Sequence, residues 1–130
     1  MPPMIMSHEQ DPKQVLMDAV GDLTDIEIFN NQILVAVYIR PKKTKSGIYL
    51  TDNTTEEDRY QGKVGLVLKY GSEAFKDDEG KWFNGSSISE GDWVVFKPSD
   101  GWSVSVNGQP CRILEDYSVR ARVQKPDHVW

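Results

Sequence analysis

The chain has 130 residues, of which 38% are hydrophobic and 27% charged, and its formal net charge is -5. This length and composition predict one globular domain and exclude a disordered chain. The acidic balance argues against nucleic acid as a partner, because binding to a phosphate backbone requires clustered Lys and Arg.

The N-terminal residues have neither the basic flank nor the apolar run of a signal peptide or a membrane span. We therefore expect a cytoplasmic protein with no membrane partner, or one that joins a particle assembled in the cytoplasm. Asp11, Pro12 and Gln14 predict a helix start, with a capping Asp, Pro at the first helical position and Gln three residues after the cap. The predicted helix is short and ends at Gly21 in a left-handed conformation. Its predicted apolar face consists of Val15, Leu16, Ala19 and Val20.

From Asp25 onward, the sequence predicts short strands separated by turns, which is typical of a small β-barrel or sandwich. Ile26 and Ile28 alternate with polar residues, and a turn is predicted at Asn30 and Asn31. The strand predicted over residues 33–39 is apolar on both faces, so we expect both faces to be buried. Residues 63–68 predict the next strand, and its predicted apolar face is formed by Val64, Leu66, Leu68 and Tyr70.

A long connection, residues 42–61, lies between these two strands. It is charged and polar except for the apolar trio Ile48, Tyr49 and Leu50, and it has neither strand nor helix periodicity. A connection of roughly 20 residues without structure of its own is uncommon in a compact domain and is usually functional or disordered. We therefore predict that Gly47 and the trio are presented to a partner.

The rest of the chain predicts further hairpins. Residues 72–89 are polar and rich in turn residues, which indicates a second excursion, and their acidic residues lack the spacing of a calcium loop. Further along, Asn107-Gly108 predicts a two-residue hairpin turn. Alternation over residues 117–123 predicts the closing strand. The predicted organisation is an N-terminal arm with a short helix (residues 1–22), a β-domain (23–123) and a tail (124–130).

Residues with catalytic potential are scarce. The two histidines, His8 and His128, lie in the terminal arms, and no nucleophile–base pair, metal-ligand cluster or phosphate-binding glycine loop is present. The single cysteine, Cys111, cannot form an internal disulfide, and its strand-like surroundings predict a buried structural thiol. We predict no catalytic residue, no metal and no cofactor, and hence a protein that acts by binding.

Five segments carry a recognisable pattern, namely Thr44-Lys45-Ser46-Gly47, Ile48-Tyr49-Leu50, Gln61-Gly62-Lys63-Val64, Lys69-Tyr70-Gly71 and Gly91-Asp92-Trp93-Val94-Val95-Phe96. In these segments the chain resembles the GroES co-chaperonin family, the small ring-forming lids of GroEL-type chaperonins. Members have a first strand, a mobile loop with a Lys-Ser-Gly stem and an aliphatic tripeptide, a Gly-x-Val strand, and a later Gly-Asp-x-Val-x-Phe strand. The resemblance covers residues 26–123.

The resemblance implies an all-β fold, namely a small GroES-like β-barrel with a mobile loop at 42–61 and a roof-type hairpin at 72–89. It also implies a ring homo-oligomer, a heptamer, that caps a GroEL-type chaperonin during ATP-dependent protein folding and binds through Gly47, Ile48, Tyr49 and Leu50. The implied subunit interface consists of Ile26, Ile28, Ile33, Val35, Val119, Ala121 and Val123.

Two alternatives remain open at the level of sequence. The first is a virus-encoded structural protein, such as a phage capsid decoration or cement protein in the virion, whose partner would be a viral capsid protein. It is motivated by Tyr49 at the centre of the trio, by Phe29, Asn31 and Gln32 in place of the family's Pro and Asp-Arg pair, and by the added terminal arms. The second is a GroES-like domain with some other binding role.

Overall fold

The computed structural model describes residues 10–40, 62–75 and 88–128. This part of the chain contains one α-helix and six β-strands, so the predicted all-β class is confirmed. The elements are α1 (Pro12–Val20), β1 (Gln32–Val37), β2 (Val64–Tyr70), β3 (Trp93–Val95), β4 (Trp102–Val106), β5 (Gln109–Glu115), β6 (Ala121–Val123), and two 3-10 helices at Asp116–Ser118 and Pro126–His128.

The six strands form one antiparallel sheet in the order β4-β5-β1-β2-β3-β6. β1 lies inside this sheet and pairs with β5 on one side and with β2 on the other. Its alternate residues enter two different clusters, with Leu34 and Ala36 in one and Ile33, Val35 and Val37 in the other. The prediction that both faces of this strand are buried is therefore confirmed. We call the first cluster the helix-side core, because Leu16 and Val20 of α1 belong to it, and the second the far-side core.

The helix begins where it was predicted. Asp11 accepts a hydrogen bond from the backbone N–H of Lys13 at 3.2 Å, and Pro12 is the first helical residue. Gln14 does not complete a reciprocal cap, because its side chain donates to Asp18 at 2.8 Å instead. Gly21 has the expected positive φ of +70°, although its ψ of -146° is not that of a left-handed helical residue.

The apolar face of α1 is narrower than predicted. Leu16 and Val20 are buried in the helix-side core, whereas Val15 and Ala19 are exposed. Residues four apart lie above one another on a helix, so a short helix resting on a sheet buries a single row of side chains. This correction leaves α1 with two anchoring residues.

A β-bulge in β2 corrects the predicted face of that strand. The register between β1 and β2 shifts at Leu34 and Val35, so that Lys69 pairs with Leu34 and Tyr70 pairs with Ile33. Partners in a ladder share a face, which places Tyr70 on the far side of the sheet from Val64, Leu66 and Leu68. There the Tyr70 ring packs edge-on against Phe75, with centroids 6.0 Å apart.

Three other expected strands are shorter or absent. The strand that the resemblance implies at residues 90–96 is a strand only at Trp93–Val95. Residues 26–28 have no regular secondary structure and join no ladder, and Ile26 and Ile28 instead pack against the helix-side core. The predicted closing strand over 117–123 begins as a 3-10 turn at Asp116–Ser118 and is a strand only at Ala121–Val123. The turn forms because the Asp116 carboxylate accepts from Asn31 Nδ2 at 3.1 Å and from the Phe75 N–H at 3.0 Å, which fixes the backbone before it can extend.

The hairpin predicted at Asn107-Gly108 is confirmed. Both residues have positive φ, +50° and +82°, and they join β4 to β5 with Val106 opposite Gln109. This is the two-residue turn that suits the right-handed twist of paired strands. The predicted close approach at Gly65 is also present, since a Cβ there would lie 3.0 Å from Phe96 and from Val35.

Gly71, directly after β2, leaves no room for a side chain. A Cβ there would lie 2.2 Å from the Asn30 carbonyl oxygen and 2.7 Å from the Phe29 carbonyl carbon, and backbone atoms cannot rotate away. We expect Gly71→Ala to lower the free energy of unfolding by about 1–3 kcal/mol, as overpacking does. Urea denaturation measures the loss. The control is the exposed neighbour Ser72→Ala, for which a change within about 0.5 kcal/mol is expected; equal effects of the two variants would contradict the steric argument.

Candidate partner-binding site

The predicted binding residues, Gly47, Ile48, Tyr49 and Leu50, lie outside the described residues. The structure does describe the residues on either side of their segment, 41–61, which we call the β1–β2 connection. The residues that flank it are neighbours in the sheet, because Val37 pairs with Gly65 and the Tyr38 N–H donates to the Val64 carbonyl at 2.9 Å. The chain therefore leaves β1 and re-enters β2 at adjacent points on one end of the sheet.

Tyr38 is the central residue at this end. Its side chain is only 2% exposed, and its ring packs edge-on against Trp93 of β3 with centroids 5.7 Å apart. Its hydroxyl donates a hydrogen bond to the carboxylate of Asp127. One residue thus joins β1, β2, β3 and the C-terminal 3-10 helix where the β1–β2 connection begins.

The second predicted excursion leaves from the opposite end of the sheet. β2 starts beside the β1–β2 connection and ends at Tyr70, after which the chain passes through residues 71–92 before β3. A strand of this length spans roughly 20 Å at about 3.3 Å per residue. Residues 76–87, which include most of the predicted roof hairpin, lie outside the described residues.

The predicted subunit-interface residues occupy three environments. Ile33 and Val35 are fully buried in the far-side core, and β1 is already paired on both edges, so their side chains do not reach the surface of this chain. Ile26, Ile28 and Val123 are partly buried against the helix-side core, and Val119 against the far-side core. Ala121 is exposed on β6, which ends the sheet.

Lys69 holds the segment that contains Ile26. Its ammonium donates to the carbonyl oxygens of Leu23 at 2.7 Å and of Ile26 at 2.6 Å. The β-bulge makes this possible, because it turns Lys69 toward the face on which those residues lie. Two backbone acceptors without partners in a ladder are thereby satisfied by one side chain.

Neither Lys69 nor Asp127 was predicted from the sequence as a residue of this site. Asp127 falls in the predicted tail, yet Pro126 and Asp127 are buried. One signal was available, because a phenol at a core-facing position such as Tyr38 requires a hydrogen-bond partner. Nothing in the sequence indicates which acceptor, 89 positions away, provides it.

A shallow cleft of about 460 Å³ lies between the first turn of α1 and the β3–β6 edge, and its charged lining residues are Lys13, Asp92 and Arg122. Asp92 and Arg122 form an exposed ion pair at 3.4 Å. Among the residues described, no group of three His, Cys, Asp or Glu side chains is arranged to hold a metal ion. Within the described ranges, no helix has the length and apolar character required to cross a membrane.

Together, these features define a small all-β protein that presents a long connection at one end of a single sheet. Residues 25–123 match the family model described as "Chaperonin 10 Kd subunit". The chain therefore belongs to the chaperonin 10 kDa family, which confirms the family indicated by the sequence motifs.

A curated relative agrees with this assignment. The chain is 31% identical over 101 residues to the protein named co-chaperonin GroES from Halothermothrix orenii, and the alignment covers 78% of this chain and 99% of the relative. Neither comparison points to a capsid protein. Both α1 and the 3-10 helix at Pro126–His128 lie outside the residues matched by the family model.

Cys111 lies in the helix-side core and is 1% exposed, so the predicted burial of its thiol is confirmed. Burial raises the pKa of the Cys111 thiol from 9.0 to about 11. A thiol that stays protonated and covered is a poor nucleophile. The location of Cys111 on β5, opposite Ala36 and Val104, accounts for this protection.

We expect this thiol to make folding stability depend on alkaline pH. Below about pH 9 it is protonated in both states, but between about pH 9 and 11 only the unfolded state loses its proton, so the free energy of unfolding falls by up to about 3 kcal/mol as pH rises. Urea denaturation of the parent and of Cys111→Ala across this range isolates the contribution. Parallel pH profiles for the two proteins would contradict it.

Proposed function

We propose that this protein is a co-chaperonin that forms a ring, caps a GroEL-type chaperonin and assists ATP-dependent protein folding. The observation that carries the proposal is the match of residues 25–123 to the chaperonin 10 kDa family. In this proposal the protein works by binding in the cytoplasm, without catalysis or a cofactor of its own, and the hydrolysis of ATP belongs to the chaperonin.

The sheet supports the division of labour that a lid requires. The β1–β2 connection leaves one end of β2, and the excursion that precedes β3 leaves the other. In the proposed ring, the first end faces the chaperonin and the second faces away from it. Each subunit then contacts its partner through one segment and closes the dome through the other.

Binding is proposed to occur through Ile48, Tyr49 and Leu50, with Gly47 permitting the turn before them. An apolar trio within a charged segment buries enough surface for a weak contact, and the cost of ordering the segment keeps that contact weak. A ring that presents several copies regains affinity through effective concentration. The cap is then both stable and reversible.

We predict that replacing Ile48 and Leu50 together by Ser abolishes nucleotide-dependent capping, because it removes the apolar surface of the trio. Negative-stain imaging and co-sedimentation with a GroEL-type chaperonin measure the effect, and circular dichroism checks that the sheet is retained.

The matched control for the trio is Asn53→Ser with Thr54→Ser, which changes two residues of the same connection but leaves the trio intact. Capping by the control should equal that of the parent. If the Ile48 and Leu50 variant capped as well as its control, the assignment of the trio would be wrong.

The proposed ring, a heptamer, uses the β6 edge of one subunit against the segment containing Ile26 and Ile28 of the next. β6 is the last strand of the sheet, Ala121 on it is exposed, and residues 26–28 have no ladder partner. An edge strand of this kind offers unpaired backbone groups to another chain. The involvement of Val119 and Val123 follows from their positions beside Ala121.

We expect Ala121→Glu to dissociate the ring, because it places a charge within the proposed contact. Native mass spectrometry of the parent should show a species of seven chains, and of the variant mainly single chains. Ser103→Glu, at an exposed position of β4 on the other edge of the sheet, is the control and should keep the parent's mass. An intact ring in Ala121→Glu would refute the proposed interface.

A further inference from the structure

Tyr38, three residues before the β1–β2 connection, is held by a part of the chain that lies outside the family match. We propose that Asp127 is a positioning residue for the β1–β2 connection. In this proposal the C-terminal 3-10 helix fixes Tyr38, close to the start of the connection, because Asp127 binds the Tyr38 hydroxyl. The inference rests on the proposed function for its consequence in chaperonin binding, whereas the anchoring itself is a property of the isolated protein.

The geometry of the contact is specific. Tyr38 is 2% exposed and Asp127 is 9% exposed, and the phenolic O–H donates directly to the carboxylate. Hydrogen bonds to an ionised acceptor are roughly twice as strong as neutral ones, and a buried hydroxyl left without an acceptor bears a desolvation cost. The pair therefore favours one position of the C-terminal segment over an unattached tail.

Tyr38 is also held by two other contacts. Its backbone N–H donates to the Val64 carbonyl at 2.9 Å, beyond the last pair of the β1–β2 ladder, and its ring lies edge-on against Trp93. The hydroxyl bond to Asp127 adds a contact at the far end of the side chain. Tyr38 is thus held by its backbone, by its ring and by its hydroxyl, three residues before the connection begins.

The N-terminal addition converges on the same end of the sheet. Asn107 in the β4–β5 turn donates its side-chain amide to the Val20 carbonyl at the end of α1. Gln109, the next residue but one, donates to the Val37 carbonyl at 3.1 Å. The two described elements outside the family match therefore both attach where the β1–β2 connection leaves the sheet.

A fixed base matters for a binding segment presented in several copies. Effective concentration is highest when every copy can reach its site at the same time, and it falls when geometry prevents this. Fixing the residues at the base also lowers the entropy lost on binding. Asp127 would thus strengthen capping without touching the chaperonin.

The test compares Tyr38→Phe, Asp127→Ala and Asp127→Asn in the full chain. Tyr38→Phe keeps the ring on Trp93 and removes only the hydroxyl, and Asp127→Asn keeps an acceptor oxygen. The control is Ile113→Val, which trims a partly buried side chain opposite Trp102 and Leu34, away from Tyr38, at a cost typical of a single methylene.

Hydrogen exchange of the Tyr38 amide gives the first readout, and capping of a GroEL-type chaperonin the second. We expect roughly tenfold faster exchange at Tyr38 in Tyr38→Phe and Asp127→Ala, as loss of a charge-assisted hydrogen bond implies, with partial rescue in Asp127→Asn. Exchange at Leu114, within the β1–β5 ladder, should change no more than in Ile113→Val. Apparent affinity for the chaperonin should fall by a similar factor.

The outcomes separate the two proposals. The anchoring role is overturned if the Tyr38 amide exchanges no faster in Tyr38→Phe and Asp127→Ala than in the Ile113→Val control. If the parent still caps, the proposed function stays intact. A parent that never caps overturns the proposed function, and the exchange data still decide the anchoring role. Selective acceleration at Tyr38 together with weaker capping supports both.

Discussion

Burial of β1 on both faces is the constraint on which the rest of the fold depends. A strand that is apolar on both sides needs a cover on each, and it needs ladder partners on both edges because buried backbone groups must be paired. β5 and β2 supply the edges, the helix-side core covers Leu34 and Ala36, and the far-side core covers Ile33, Val35 and Val37. α1 is held in place by the same requirement, since two of its side chains complete the helix-side core.

A buried aspartate lies at each end of this sheet, close to where the chain leaves it for a long segment between strands. At one end Asp127 binds Tyr38, and at the other Asp116 binds Asn31 and the backbone of Phe75. Buried carboxylates persist where donors satisfy them, so each one marks a fixed point. A sheet in which hydrogen bonds fix the residues next to its long connecting segments suits a protein whose binding segments extend from a scaffold.

Local chemistry explains which elements could be predicted from the sequence. The helix start at Asp11, the turn at Asn107-Gly108 and the two-faced strand β1 depend on neighbouring residues, and the structure reproduces all three. The face of Tyr70 was predicted wrongly because the bulge arises from pairing between β1 and β2. The start of the predicted closing strand was wrong for a similar reason. The 3-10 turn at Asp116 depends on hydrogen-bond donors from distant segments, and the local sequence does not reveal them.

The candidate site divides in the same way. The apolar trio could be identified from the sequence, since it interrupts a polar segment between two strands, and its role stays a prediction because it lies outside the described residues. The hydrogen bond between Tyr38 and Asp127 could not be predicted, because the alternation of apolar residues indicates that a side chain is buried but not which residue it contacts. Lys69 was hidden for a related reason, as its acceptors are backbone carbonyls of a segment without regular structure.

The pairing of β1 with β5 also governs how the chain folds as it is synthesised. Gln32 contacts Glu115 across 83 positions, so the central strand gains its second edge only after most of the chain exists. Closing so long a loop is entropically costly, and topologies rich in distant pairings fold slowly. Until β5 has been made, the backbone groups along one edge of β1 remain unpaired and open to other chains. A nascent copy of this protein is therefore itself a candidate for the help of a chaperone.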